Sequence, residues 1–192
     1  RSAICKSLLT MMTLGLGVAV LLKPIMVFYD EVLVRMQFPL LSGFEHYTEL
    51  SRWSAKTELI RSTDRASEGQ YSLKVPLLPK GYSGVHINDF PANWLGFDAL
   101  QFDVWSPLPL LSITIRVHDK DHRHQEYSDR FNQRHSLVYG WNRIKIDLND
   151  VRYAPKGREL KLDEVEGFGF FCYNLGSREV VYVDKVVLLH DN

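Results

Sequence analysis

The chain has 192 residues, 45% hydrophobic and 24% charged, which suits one sizeable core behind a short apolar head. Its 23 Lys and Arg balance 23 Asp and Glu and are scattered along the chain, so the electrostatic footprint of a nucleic-acid binder is missing and no polyanionic partner is expected. Cys5 lies in the head and Cys172 in a strand-like run, which argues against a mutual bridge and makes Cys172 a small core residue.

The head comes first. From Leu8 to Leu22 there is no charge, and the apolar stretch resumes after Lys23-Pro24 with Ile25 to Tyr29, close to the length of a spanning helix. A lysine at mid-bilayer costs about 2.5–3.5 kcal/mol, which about a dozen aliphatic residues at about 0.3–0.6 kcal/mol each offset. A transmembrane helix is therefore expected, followed by a juxtamembrane linker around Asp30 to Arg35, the whole occupying residues 1–42. A secretory signal ending near Gly17-Val18-Ala19 and a buried or interfacial helix are the alternatives. Because the chain opens on Arg1, the head is expected to be the last span of a longer protein. Arg1 and Lys6 before the span point to an extracytoplasmic body.

Past Pro39 the pattern changes to short alternating runs broken by Gly, Pro, Asn and Asp. Strands are predicted over Thr57–Ser62, Tyr71–Leu77, Gly84–Asn88, Leu100–Trp105, Leu111–His118, Glu126–Asn132, Trp141–Leu148, Val165–Tyr173 and Val180–Leu189, with a turn of helix near Leu160–Glu164. Many strands at regular spacing with no long amphipathic helix predict an all-β antiparallel jelly-roll sandwich over residues 43–192. Period-two alternation buries Leu100, Phe102, Val104, Ile113, Ile115 and Val117. Trp53, Trp94 and Trp141 adjoin turns or small apolar neighbours and read as core or corner residues. Asp184 interrupts the apolar last run and needs a reason. If the first and last strands are neighbours, Glu45 comes near Asp184 and two carboxylates make a calcium site; the alternative is an Asp184 that faces solvent.

Phe44-Glu45, Ser67 to Val75, Trp94 to Val104, Gly140 to Ile144 and Val181 to Asp184 together resemble the galactose-binding-like jelly-roll carbohydrate-binding modules. That resemblance implies a non-catalytic sugar-binding sandwich, with structural calcium held by Glu45 and Asp184 and oxygens near Gly69. An apolar head joined to such a body also looks like the tail of certain VanZ-like membrane proteins. For a sugar-binding body, alternation puts Trp105, Arg116, His118, Arg130, Asn132 and Tyr173 on the groove face.

The densest polar segment is His118 to Asn132. His118, His122 and His124 with Asp119 and Asp121 hold enough nitrogen and oxygen for zinc, but no His-Glu-x-x-His helix aligns them. Asp103, Asp119, Asp121, Glu126 and Asp129 are candidates for the paired carboxylates of a glycoside hydrolase, a test that needs a defined separation. A solvated hairpin loop and a sugar-binding segment are the other readings. There is no Gly-x-Ser-x-Gly elbow and no phosphate-cradling loop. The expected function is a membrane-tethered, non-enzymatic module for a glycan or cell-envelope polysaccharide. The alternative is a structural or protein-interaction jelly roll of a larger membrane protein.

Overall fold

The computed structural model describes residues 24–123 and 126–190. The chain divides into two units, Arg1–Met36 and Gln37–Asn192. Residues 24–37 form helix α1. Asp30, Glu31 and Arg35 interrupt its apolar sequence. No helix among the described residues is long and apolar enough to cross a membrane. This corrects the transmembrane head, the membrane partner and the membrane-anchored, extracytoplasmic placement that rested on it; residues 8–23 of the predicted span lie outside the described residues.

In the body, β-branched and aromatic runs pair into two antiparallel sheets. One is built from β1 (Leu40–Ser42), β3 (Ile60–Ser62), β4 (Ser72–Leu77), β6 (Ala99–Ser106), β9 (Gly140–Asp147) and β11 (Glu179–Leu189), in the order β3-β4-β11-β6-β9 with β1 also on β11. The other runs β2 (Trp53–Ala55), β5 (Tyr82–Ile87), β10 (Val165–Tyr173), β7 (Leu111–Asp119) and β8 (Phe131–Leu137). This is the all-β jelly-roll sandwich that the alternation implied. Between the layers lie Leu100, Phe102 and Val104 from β6, Ile113, Ile115 and Val117 from β7, and Phe168 and Phe170 from β10, all buried. Each such side chain contributes about 1.5–3 kcal/mol on leaving water. Trp53 and Trp94 are buried with them, and Trp141 is half-buried.

Three local readings need correction. The run Glu126–Asn132 is not a strand: Tyr127–Asp129 is a 3-10 turn and β8 begins at Phe131, continuing through the polar residues Gln133 to Ser136. The short helix of the long connection is α2 (Leu148–Arg152), capped by Asp147 through its hydrogen bond from Asn149 N–H, and not Leu160–Glu164. In β11 the alternation slips, with Val181 and Val183 buried before the slip and Val186 and Leu188 after it. The register with β6 shifts between Asp184 and Val187, and Lys185 has φ +49. A bulge of this kind bends the strand and redirects its side chains.

Candidate functional site

The outer face of the five-stranded sheet carries a groove of about 870 Å³. Alternation points Tyr82, Gly84 and His86 of β5, Thr114 and Arg116 of β7, Phe171 and Tyr173 of β10 and Arg134 of β8 into it, and Lys56, Tyr127 and Arg130 add to its lining. Cross-strand register aligns Ser54, His86, Gly169, Arg116 and Asn132 in one row and Gly84, Phe171, Thr114 and Arg134 in the next. Gly169 keeps the floor low: a Cβ there would lie 2.3 Å from the Val85 carbonyl oxygen and 2.7 Å from the His86 Cα. At one end Tyr82 pairs with Tyr173, ring centroids 4.7 Å apart, and Phe171 meets the Tyr82 edge at 5.4 Å. Both tyrosines are about 60% exposed. The Gly81 N–H donates to Asn174 Oδ1, and the Asn174 N–H donates back to the Gly81 carbonyl, pinning the two strand ends together.

The guanidinium groups are placed by the segment that follows β7. Asp119 is fully buried and accepts two hydrogen bonds from Arg158, at 2.6 and 2.9 Å, and one from the Lys161 N–H. Arg158 also reaches Asp129 at 2.5 Å, and Asp129 accepts from the Arg123 N–H. Burial raises the Asp119 carboxyl, but Arg158 and the Lys161 N–H hold it below the ordinary carboxylate range; Arg158 first, then the Arg123 N–H, hold Asp129 at about 2. These acids staple the loop and leave Arg130 at the groove wall, where its Nε donates to Asn132 Oδ1. Asn132 in turn donates to the Tyr127 and Arg130 carbonyls. Burial and the charge of Arg130 push the Arg116 guanidinium down, and burial followed by Arg116 does the same to His86.

Of the six predicted ligand residues, Arg116, Arg130 and Tyr173 line the groove. Asn132 holds Arg130. His118 packs against Gly167, whose Cβ would fall 2.2 Å from its ring, and its ring centroid lies 5.1 Å from that of His122. Trp105 belongs to the other sheet, where Arg65 stacks 3.9 Å over its ring and Tyr182 and Tyr139 meet its edges; its placement on the groove is corrected, because alternation gives an outward direction without saying which sheet. The predicted ligand set omits Tyr82, His86, Tyr127, Arg134 and Phe171. Outward alternation from Tyr82 to His86 is the available signal, hidden because the turn residues Gly81, Ser83 and Gly84 make the predicted strand begin at Gly84, two residues after β5 does.

Glu45 and Asp184 reach one loop. Asp184, fully buried, accepts from the Ser67 N–H and hydroxyl, the Glu68 N–H and the Lys185 N–H. Glu45 Oε1 accepts from the Gln70 and Tyr71 N–H groups. Burial pushes the Asp184 carboxyl up, against the pull of those N–H donors. Glu45 is aimed by a built turn: Phe44 sits at φ +60, its N–H donates to Glu49, and its carbonyl accepts from Arg61. Asp103 of β6 lies opposite Asp184 and is paired with Arg143 at 3.1 Å. Hard carboxylate oxygens suit calcium in kind. Among the described residues no group of three or more His, Cys, Asp or Glu side chains is gathered to hold a metal, and His124 of the predicted zinc cluster lies outside them.

Comparison with curated proteins yields no match. Among solved structures, the family 11 carbohydrate-binding module from Clostridium thermocellum, in complex with a β-1,3-1,4-mixed-linked tetrasaccharide, is 19% identical with a TM-score of 0.58, over 79% of this chain and 94% of that one. An exo-β-agarase matches over 80% of this chain and 25% of its own length, at 15% identity and TM-score 0.61. The family 30 carbohydrate-binding module of a cellulosomal cellulase of Clostridium thermocellum matches at 15% identity and TM-score 0.53, over 72% and 87%. At these identities the likeness is one of fold. The family model of carbohydrate binding domain (family 11) matches residues 38–191, which sharpens the galactose-binding-like resemblance to one family and corrects the VanZ-like one. With that match over most of its length, the chain belongs to carbohydrate-binding domain family 11, a family of non-catalytic modules.

Proposed function

We propose that the groove on the five-stranded sheet binds a polysaccharide chain. The observation that carries this reading is the exposed Tyr82–Tyr173 pair, at 4.7 Å, set beside the Arg116 and Arg130 guanidinium groups in one open groove. Aromatic faces suit the apolar face of a pyranose, and forked guanidinium donors suit pairs of sugar oxygens. The solved family 11 module was captured with a mixed-linked tetrasaccharide, which supports the same class of ligand here. Glycan arrays followed by isothermal titration test it. Tyr82→Ala and Tyr173→Ala are expected to weaken binding about tenfold each, ~1.4 kcal/mol, while Trp105→Ala, on the opposite sheet, leaves it unchanged. Binding indifferent to both tyrosines would sink the assignment.

Structural calcium at Glu45 and Asp184 is the second part of the proposal. Its support is that both carboxylates are anchored on the loop of residues 67–71, far in sequence from Asp184. Further oxygens would come from backbone carbonyls and water, as calcium takes 6–8. Bound there, the ion would neutralise a buried carboxylate and tie the loop to β11; it takes no part in the groove.

A further inference from the structure

The groove has an imbalance that the neutral total charge conceals. Its lining holds four cations, Lys56, Arg116, Arg130 and Arg134, together with His86, and no Asp or Glu. Among the described residues no ion pair engages any of the four cations. Of the acids that adjoin the groove between β7 and β8, Asp119 and Asp129 are taken by Arg158 and Asp121 by Lys161 at 3.0 Å, while Glu126 accepts from the Ser128 hydroxyl and does not line the groove. The influences on Arg116 and Arg130 tell the same story, since burial dominates both and no carboxylate offsets it. Two guanidinium groups thus stand half-buried beside each other with their charge uncompensated.

Hydrogen-bonding inventory points the same way. Arginine and lysine only donate, and the acceptors in the lining are a few hydroxyls and one imidazole. A neutral sugar hydroxyl brings a donor with every acceptor, so a neutral chain would leave its own donors short of partners. A carboxylate or sulfate brings acceptors alone and matches the guanidinium fork in two parallel bonds. We infer that the groove takes an anionic polysaccharide, one whose sugars carry carboxylate or sulfate groups, with Arg116 and Arg130 gripping the anion beside the tyrosine platform. This rests on the polysaccharide-binding reading of the groove and adds the charge of its ligand. It departs from the expectation, drawn from zero net charge, that the chain has no polyanionic partner.

Affinity electrophoresis of the full chain would test it, with polygalacturonate, the same polymer after carboxyl reduction, a sulfated galactan, barley mixed-linkage β-glucan and polyglutamate. The expected result is retardation by polygalacturonate or the sulfated galactan at least about tenfold stronger than by the carboxyl-reduced polymer, weakening with added salt. Whichever of the two anionic polymers binds more tightly assigns the group. Arg116→Gln should abolish the preference. Arg134→Gln, at an exposed position where folding is not at stake, should reduce it several-fold. If the β-glucan or the reduced polymer binds as tightly as the tighter-binding of the two anionic polymers, the inference is overturned while the polysaccharide-binding reading stands. Equal retardation by polyglutamate would reduce the effect to bare charge and overturn it too. Retention by no polysaccharide at all would overturn both.

Discussion

His118 illustrates how a single side chain near the groove is governed by its surroundings. Burial first, then Arg116, His122 and Arg130, push it down from 6.5 to about 4. In the unfolded chain it takes its proton near pH 6.5, so between those values the unfolded state binds more protons and stability rises with pH. Its contribution is present in full above about pH 6.5 and is lost as pH falls toward 4. Thermal melts should show this limb, and His118→Gln should flatten it. A limb just as steep in the variant would assign it to other groups, since Asp119 and Asp129 release their share only lower. Arg116 is legible as an outward residue because β7 keeps strict period-two alternation, and Tyr173 because it ends the apolar run of β10 on the exposed side. Tyr82 is not, because Lys80 to Gly84 contains two glycines and a serine and reads as a turn.

At the scale of elements, the segment between β7 and β8 shows where local pattern fails. Glu126 to Asn132 reads as a strand, yet Tyr127–Asp129 folds as a 3-10 turn and the strand starts only at Phe131, because Arg158, 39 residues from Asp119, gathers Asp119 and Asp129 and draws the chain into a loop. No local signal announces a partner at that distance. Removing Arg158 leaves Asp119 fully buried without its counter-ion, and losing one partner of a buried pair costs about 3–5 kcal/mol. Arg158→Ala is expected to lower the melting temperature by about 6–20 °C at about 2–4 °C per kcal/mol and to weaken glycan affinity, since Arg130 loses its support. Unchanged stability measured by calorimetry would show that the staple is dispensable. The β11 bulge is a second such case: alternation alone would have left Asp184 on the solvent side, whereas the loop of residues 67–71 covers it.

For the whole molecule, the two sheets give two outward faces with different work. The five-stranded face holds the groove, while the face of β6 and β11 carries Trp105, the Asp103–Arg143 pair and the covered Asp184. A cation that binds only the folded state adds RT ln(1 + [L]/Kd), about 2.7 kcal/mol at a hundredfold excess over Kd. Chelation is therefore expected to lower the melting temperature by about 5–10 °C, and Asp184→Asn to remove that sensitivity. A melting temperature indifferent to chelator would leave Glu45 and Asp184 as clasps for the loop and nothing more.

Alternation and turn residues by themselves determined the sandwich, its principal strands and the buried faces, because burying one side of a strand imposes a period of two on nearby residues. Which sheet each outward residue joins was decided only by tertiary structure. Trp105 and Arg116 look alike along the chain, and strand order separates them. Likewise, the total charge is a sum over residues and is zero, whereas the basic groove arises because folding spends Asp119 and Asp129 on Arg158 and leaves Arg116 and Arg130 without an acid.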